Sequence, residues 1–282
     1  MRHMVIAVAL FIAAVATAPE PPPQTTPPVL AKKMNVICVD CGGAFTLLKH
    51  GNLLQGLVVN EKLADAPMRE MRDAMYWQDS IHQFESKAHF DNCAFEDSER
   101  YIGELLAEID RRVATAQQLR AQDRTEAAAN EAALAFFALG QALHAVQDFY
   151  AHSNYVEILR DDGVRYEDCP IIAVWTAAGA AKIAQLRQTR NLHSGYVVWG
   201  VEKKCPDATE DHHDLNKDSD RSVRGRQHVK AWENRTLHTV AADLALDASV
   251  AFLKHAYTRW PYLKTAGGNK VVFDVFQDRR KL

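Results

Sequence analysis

Long apolar runs are nearly absent from this 282-residue sequence. The exception is Met4 to Val15, which follows a short polar start and runs into small residues. This order predicts a signal peptide over residues 1–16, and hence a secreted or periplasmic protein. Cleavage is expected after Ala16, because a cut two residues later would leave Pro19 at the new N-terminus. Left uncleaved, the run would be a membrane anchor, and no later run is long enough to span a bilayer.

An excess of charge of one sign is also missing. Lys and Arg total 33 and Asp and Glu total 36, which gives a formal net charge of -3. A broad basic surface for nucleic acid is thereby excluded, and no stable nucleic-acid partner is predicted. Any action on nucleic acid would have to come from a metal centre.

Cysteines are few, and their spacing is poorly suited to a thiolate metal site. In an exported protein, five cysteines allow two disulfides and one thiol, but the sequence leaves the pairing open. The CVDC pair could be a zinc half-site or a redox pair, yet no second close pair follows to complete a four-thiolate site. A disulfide or two unreactive thiols is therefore favoured. The cysteines are Cys38, Cys41, Cys93, Cys169 and Cys205.

Much of the sequence has the residue spacing and composition of α-helices. After a proline-rich linker over residues 17–33, apolar residues recur at three- and four-residue intervals, and Ala and Leu are abundant. Helices are predicted over 45–63, 96–121, 124–159, 171–189 and 236–257, with a polar loop over 203–226 and short strand candidates at 195–202 and 270–276. The predicted fold class is all-α: one helical bundle over residues 34–265, followed by a C-terminal tail over 266–282.

Three polar residues interrupt the most apolar of these helices. His144, Asp148 and His152 are spaced four residues apart. Each such step turns an α-helix by about 40°, so the three side chains share one stripe. Imidazole and carboxylate are zinc ligands, and unpaired polar groups on an apolar helix would be costly. The pattern predicts a metal site; the alternative is a buried hydrogen-bonded network without metal.

Two further polar clusters, over residues 76–92 and within the loop, could supply more ligands. Taken alone, such residues are common in solvated loops, and a single histidine on an amphipathic helix is more often a core or boundary residue. The candidates are Asp79, His82, His89 and Asp91 in the first cluster, His212, His213, Asp214 and Asp218 in the loop, and His238 on the last helix.

The segment LGQALHAVQDFYAHSNYVE, residues 139–157, resembles the signature of the heterokaryon-incompatibility protein C type. That type belongs to the superfamily of zinc-dependent phospholipases C and fungal single-strand nucleases. HFDN at 89–92, LHSGY, KCPDATEDHHDLNKDS and LHTVAADLALDASVAFL resemble further blocks, so the resemblance covers most of residues 45–257. It implies an all-α bundle in which up to three zinc ions hydrolyse phosphodiesters.

Residue by residue, the resemblance implies a first zinc on Asp79, His89, His144 and Asp148. Asp148 would bridge to a second zinc, whose other ligands would be His152, His238 and His213. The spacing of Asp148 and His152 is shorter than in the superfamily. Ala242 stands where a His-x-x-x-Glu pair would end, and a proline-rich stretch replaces the N-terminal Trp that holds the third zinc. Two zinc ions are expected, without the ligands for a third.

The predicted function is a zinc-dependent phosphoester hydrolase, phospholipase C-like or nuclease-like, that acts through metal-activated water. Asp79 and Asp148 are its expected catalytic carboxylates. The expected partner is a phosphoester substrate, which includes phospholipid at a membrane surface. The alternatives are a non-catalytic, zinc-stabilised helical interaction or toxin-accessory module, and a zinc-free helical domain.

Overall fold

The structure is a computed structural model that describes residues 65–197, residue 205 and residues 210–266. Several sequence predictions lie outside these residues: the signal peptide, the linker, the helix over 45–63, the CVDC pair, the strand candidate at 270–276 and all but the first residue of the tail.

Helices dominate the described part of the chain, which confirms the all-α prediction. Among the described residues, no helix is long and apolar enough to serve as a membrane span. In chain order the elements are α1 (Asp65–Ile81), α2 (Ser86–His89), α3 (Phe95–Ala121), α4 (Thr125–His152), α5 (Tyr155–Asp161), α6 (Ala177–Arg190), α7 (His212–Leu215), β1 (His228–Val229), β2 (Arg235–Thr236), α8 (Leu237–Arg259) and α9 (Leu263–Ala266). The two strands form a small antiparallel hairpin, in which His228 pairs with Thr236.

Helix α4 is the centre of the bundle. It packs against α1, α3 and α8, and every residue from Ala135 to His152 is buried. Alanines and a glycine let the neighbouring helices approach closely: a Cβ on Gly140 would lie 2.5 Å from the Met71 carbonyl oxygen of α1. A helix that is apolar on nearly all sides is the expected central element of a bundle.

The long helix predicted over 124–159 is divided in two. Helix α4 ends at His152, where Ser153 adopts an extended conformation and forms a β-bridge with Ser194. The Ser153 hydroxyl donates back to the Phe149 carbonyl, and the Asn154 amide donates to the His193 carbonyl, before α5 begins. This break lets the 193–196 segment pack beside the end of α4.

Helix α1 has no counterpart in the sequence predictions. Its buried side chains, including Met71, Met75 and Gln78, face α4, and most of its other residues are polar, as is typical of an amphipathic helix. The other predicted helices, over 96–121, 171–189 and 236–257, correspond to α3, α6 and α8, with small differences at their ends.

Among the described residues, a disulfide joins Cys93 to Cys205 across 112 residues, with 5.2 Å between their Cα atoms. It ties the segment after α2 to the loop that precedes α7. Cys169 is buried outside this disulfide, and its thiol donates to the Arg165 carbonyl. The pairing that the sequence left open is thus decided for Cys93 and Cys205.

Candidate metal centre

The centre lies where the C-terminal half of α4 meets α1, the turn after α2 and the loop around α7. The three side chains of the predicted stripe are almost fully buried: His144 is 0% exposed, Asp148 1% and His152 6%. Residues from the other elements divide into two groups around this stripe. Each group brings ligand atoms of two histidines and one aspartate within 4.8 Å of one another: Asp79, His89 and His144 in the first, and Asp91, His152 and His212 in the second.

In the first group, donor atoms converge from three helices. Asp148 Oδ2 lies 2.8 Å from His89 Nδ1 and 2.9 Å from His144 Nε2. The two ring nitrogens are 3.1 Å apart, and Asp79 Oδ1 lies 3.5 Å from His144 Nε2. The opposite nitrogen of His89, Nε2, is 3.2 Å from the His82 carbonyl oxygen.

These separations fit a tetrahedral cation site. Zinc-to-ligand distances of about 2.0–2.2 Å place neighbouring ligand atoms about 3.3 Å apart. If His89 Nε2–H donates to the His82 carbonyl, the neutral ring directs a lone pair from Nδ1 at Asp148. A cation or an additional proton on His89 would relieve that contact. Asp79 Oδ2, moreover, is buried without a hydrogen-bond partner within the described ranges.

The second group surrounds the rings of His152 and His212, which are edge to face with centroids 4.5 Å apart. On one side, Asp91 Oδ1 lies 2.9 Å from His212 Nδ1 and 3.6 Å from His152 Nδ1. On the other side, Asp218 Oδ1 lies 3.0 Å from His152 Nε2, and Asp218 Oδ2 lies 3.9 Å from His212 Nε2. Two carboxylates therefore enclose the pair of imidazoles.

An unusual turn presents Asp91. Its neighbours Phe90, Asn92 and Cys93 all adopt left-handed backbone conformations, with φ of 56°, 55° and 52°. Such conformations are costly for residues other than glycine and persist where surrounding contacts enforce them. Here the Asn92 side chain accepts from the Val197 amide, and the Cys93 disulfide fixes the end of the turn.

A buried lysine holds the loop that carries Asp218. The Lys217 ammonium is fully buried and donates to the carbonyls of Ser153 and Leu215 and to the Glu157 carboxylate. Burial lowers the pKa of Lys217, although the charge of Glu157 opposes this shift. Because the backbone amide of Lys217 also donates to the Ala151 carbonyl, Asp218 is fixed against the end of α4.

The carboxylates dominate the electrostatics of the centre. Burial alone would lower the pKa of His152, but the charges of Asp218, Asp148 and Asp91 raise it well above its usual value. For His89, burial is likewise outweighed, chiefly by Asp148, so its pKa is raised. Burial acts to raise the pKa of Asp218, yet the charge and hydrogen bond of His152 lower it.

The negative charges of the same carboxylates also favour the binding of metal ions. Asp79, Asp91, Asp148 and Asp218 are grouped with four histidines in a largely buried region. Buried charges require compensation by opposite charges or metal ions. Two divalent cations would balance four carboxylates while leaving the imidazoles neutral, which is the form that binds metal.

The structure brings together five of the seven metal ligands named from the sequence: Asp79, His89, His144, Asp148 and His152. His213 is exposed, and its neighbour His212 faces the centre instead. His238 Nδ1 lies 2.8 Å from the Lys217 carbonyl oxygen, beside the centre but in neither group.

Asp91, His212 and Asp218 also face the centre, although the sequence did not single them out as site residues. All three stood among the polar residues of the two weaker clusters, but no spacing singled them out. The Asp211 side chain caps α7 by accepting from the Asp214 amide, which helps fix the orientation of this short helix. The sequence shows that the loop contains candidate metal ligands. The orientation of α7 and the loop determines which of these side chains face the centre.

Comparison with known proteins adds one similarity. Residues 68–165 match the sequence model of the VWA7 N-terminal domain family. The matched stretch contains Asp79, His89, Asp91 and the whole α4 stripe, and ends before His212 and Asp218. Neither the curated proteins nor the solved structures contain a match to this chain.

Proposed function

We propose that the protein is a zinc-dependent phosphoester hydrolase with two neighbouring cation sites. One observation carries this proposal: two groups of buried histidine and aspartate side chains lie side by side along α4. They are close enough to interact, because the rings of His89 and His152 are 6.4 Å apart and the charge of Asp148 acts on His152. Paired metal sites of this kind occur in phosphatases and nucleases.

The chemistry of the donors favours zinc. Imidazole nitrogen with one or two carboxylate oxygens is a common zinc ligand set, whereas magnesium and calcium prefer oxygen alone. The first group would be formed by Asp79, His89, His144 and Asp148. Bound zinc would acidify a coordinated water and neutralise charge on the phosphoryl oxygens.

The side chains that would meet substrate are those that solvent can reach. Asp79 is 21% exposed in its side chain and His212 is 28% exposed, whereas His144 and Asp148 are enclosed. Asp79 is therefore positioned to accept a proton from an attacking water or to orient it. Asp148 contacts both histidines of the first group and would fix their positions.

We propose an exported protein acting on a phosphoester, phospholipid included. The Cys93–Cys205 disulfide supports export, because such bonds persist mainly in oxidising compartments. The aromatic side chains next to the stripe, Phe149, Tyr150 and Tyr155, are core residues and offer no exposed surface for lipid tails. The small net charge gives no support to a long polyanionic substrate.

The test combines metal analysis with turnover. We expect purified protein to carry zinc and to hydrolyse at least one of phosphatidylcholine, single-stranded DNA and a chromogenic phosphodiester, with activity lost on chelation and restored by zinc. Alanine at His144 or Asp148 should remove both zinc and activity, while His213→Ala, a change at an exposed histidine, should retain both. Turnover that persists without zinc would refute the proposal.

A second function is favoured by one feature of the same site. The first group offers four protein donors, and a cation with all positions filled by protein is usually structural. The alternative is therefore a non-catalytic module that zinc stabilises. Tightly bound zinc, with no turnover of any of the three substrates, would select this alternative.

A further inference from the structure

Two carboxylates enclose the His152–His212 pair, and a cation could lie beside either of them. The side near Asp91 has an Asp91 oxygen close to Nδ1 of both rings. On the Asp218 side, Oδ1 of Asp218 faces Nε2 of His152, and Oδ2 faces Nε2 of His212. The hydrogen bonds of the two imidazoles distinguish these sides.

His152 is fixed by a backbone carbonyl. Its Nδ1 lies 3.0 Å from the His89 carbonyl oxygen, which can only accept a hydrogen bond. Nδ1 must therefore carry the hydrogen, and in the neutral ring the lone pair is on Nε2. That nitrogen faces Asp218, 3.0 Å from Oδ1.

His212 follows the same rule with a carboxylate as acceptor. Its Nδ1 lies 2.9 Å from Asp91 Oδ1, so the Nδ1 hydrogen points at Asp91 and the Nε2 lone pair points away from it. Histidine ligands commonly donate their second ring hydrogen to a carboxylate or a backbone carbonyl, which fixes the ring for metal binding. Asp91 and the His89 carbonyl have that geometry.

Asp218 completes the donor set on the Nε2 side. It is 2% exposed, and its Oδ2 is buried without a hydrogen-bond partner among the residues that the structure describes. A buried carboxylate oxygen without a donor is costly unless a cation satisfies it.

We infer that the second cation is bound by His152 Nε2, His212 Nε2 and Asp218, and that Asp91 orients His212 instead of ligating the metal. This inference rests on the proposed two-site hydrolase. It assigns the two aspartates opposite roles, which the proposed function alone does not.

Zinc binding to matched variants of the full-length protein tests the assignment. Asp218→Asn should reduce the zinc content, measured by mass spectrometry, from two equivalents to one. Asp91→Asn keeps an oxygen that can accept from His212, and should retain two equivalents, with the second bound about 10–100-fold more weakly in a chelator competition titration. Far-UV circular dichroism confirms that each variant is folded.

Nitrogen-15 NMR of the histidine rings in zinc-loaded wild-type protein provides a test without any variant. His152 and His212 should both show a protonated Nδ1 and a metal-bound Nε2. His89 is an internal control, because its contact with the His82 carbonyl predicts the opposite assignment.

The outcomes separate the two proposals. Loss of an equivalent in Asp91→Asn, or metal on Nδ1 of His152 or His212, overturns the ligand assignment and leaves the hydrolase proposal standing. Wild-type protein that binds fewer than two equivalents, or that binds two without hydrolysing phosphoesters, contradicts the two-site hydrolase. In the latter case, the NMR spectrum still decides which nitrogens bind zinc.

Discussion

At the scale of single residues, the centre depends on which ring nitrogen of each histidine faces inward. His89 presents Nδ1 to the first group, whereas His152 presents Nε2 to Asp218. Backbone carbonyls set both choices, since the opposite nitrogens contact the carbonyls of His82 and His89. A conservative change that alters ring orientation would therefore affect metal binding as much as removal of a ligand.

The adjacent pair His212 and His213 provides a matched test at this scale. His212→Ala should lower the zinc content by one equivalent, because it removes an imidazole of the second group. His213→Ala should leave the zinc content unchanged, because that side chain is exposed. Zinc content by mass spectrometry checks both, and equal losses in the two variants would show that α7 is oriented differently.

Glu99 predicts a pH-dependent stability away from the centre. Burial, together with the nearby charge of Glu96, raises the pKa of Glu99 from 4.5 to about 7, although Arg187 partly offsets this. The folded protein thus holds a proton that the unfolded chain releases between these values, and stability falls as pH rises through this window.

Glu99→Gln should therefore raise the melting temperature at pH 8 and leave it nearly unchanged at pH 4. Because Glu99 is half exposed, solvent screening reduces the expected gain to about 1 kcal/mol, or roughly 2–4 °C. Thermal unfolding at the two pH values is the measurement. A gain of the same size at pH 4 would point to helix propensity, not ionisation.

The residues that sequence could identify are those with a regular spacing. His144, Asp148 and His152 follow the helix period, and their stripe depends on little more than the helix being formed. His212 and Asp218 have no such period, because their position depends on Lys217, on the capped helix α7 and on a disulfide that joins distant segments. Those contacts are tertiary, so no local sequence pattern predicts them.

At the scale of elements, close contact between α1 and α4 sets the position of Asp79. Gly140 allows this contact, since a Cβ there would lie 2.5 Å from the Met71 carbonyl oxygen and 2.6 Å from the Met71 Cα atom. Gly103, on the exposed side of α3, would place a Cβ in open space. The two glycines lie in α-helices and differ in their surroundings.

Alanine at the two positions should act in opposite directions. Gly140→Ala should destabilise the protein by about 1–3 kcal/mol through overpacking, and should weaken zinc binding because α1 is displaced. Gly103→Ala should stabilise it by about 0.5–1 kcal/mol through helix propensity. Urea unfolding and zinc titration measure the effects; a stabilising Gly140→Ala would show that the α1–α4 contact is looser than described.

Helix prediction succeeded in segments rich in Ala and Leu, and failed where a polar composition or a tertiary contact masked a helix or its end. Helix α3 shows clear amphipathic spacing, whereas α8 is rich in Ala and Leu and is buried on most sides. Helix α1 escaped notice because polar residues around Asp79 suggested a surface loop. The break after His152 was missed because Ser153 is held extended by its bridge to Ser194, a contact 41 residues away that local propensity does not register.

At the scale of the whole molecule, the grouped aspartates link metal binding to stability. Without cations, four carboxylates share a largely buried region with histidines whose pKa values are raised. A ligand that binds only the folded state stabilises it by about 2.7 kcal/mol at a concentration 100-fold above its dissociation constant. Two such sites would contribute roughly twice that amount.

Removal of metal should therefore lower the melting temperature by about 10 °C or more, and added zinc should restore it. The His144→Ala variant is the control, because its melting temperature should respond less to zinc. Differential scanning calorimetry with chelator and with zinc gives both values. A melting temperature that is independent of metal would indicate that the histidines and aspartates form a hydrogen-bonded network instead.

The turn between α3 and α4 has a practical consequence. Residues 121–124 are exposed, and Arg124 precedes His144 along one continuous helix by 20 residues, which corresponds to about 30 Å. A dye or an inserted peptide placed at this turn would lie far from both groups of histidine and aspartate side chains and would disturb neither. The turn between these two long helices is thus a suitable site for labelling or immobilising the protein while metal binding is measured at the other end of α4.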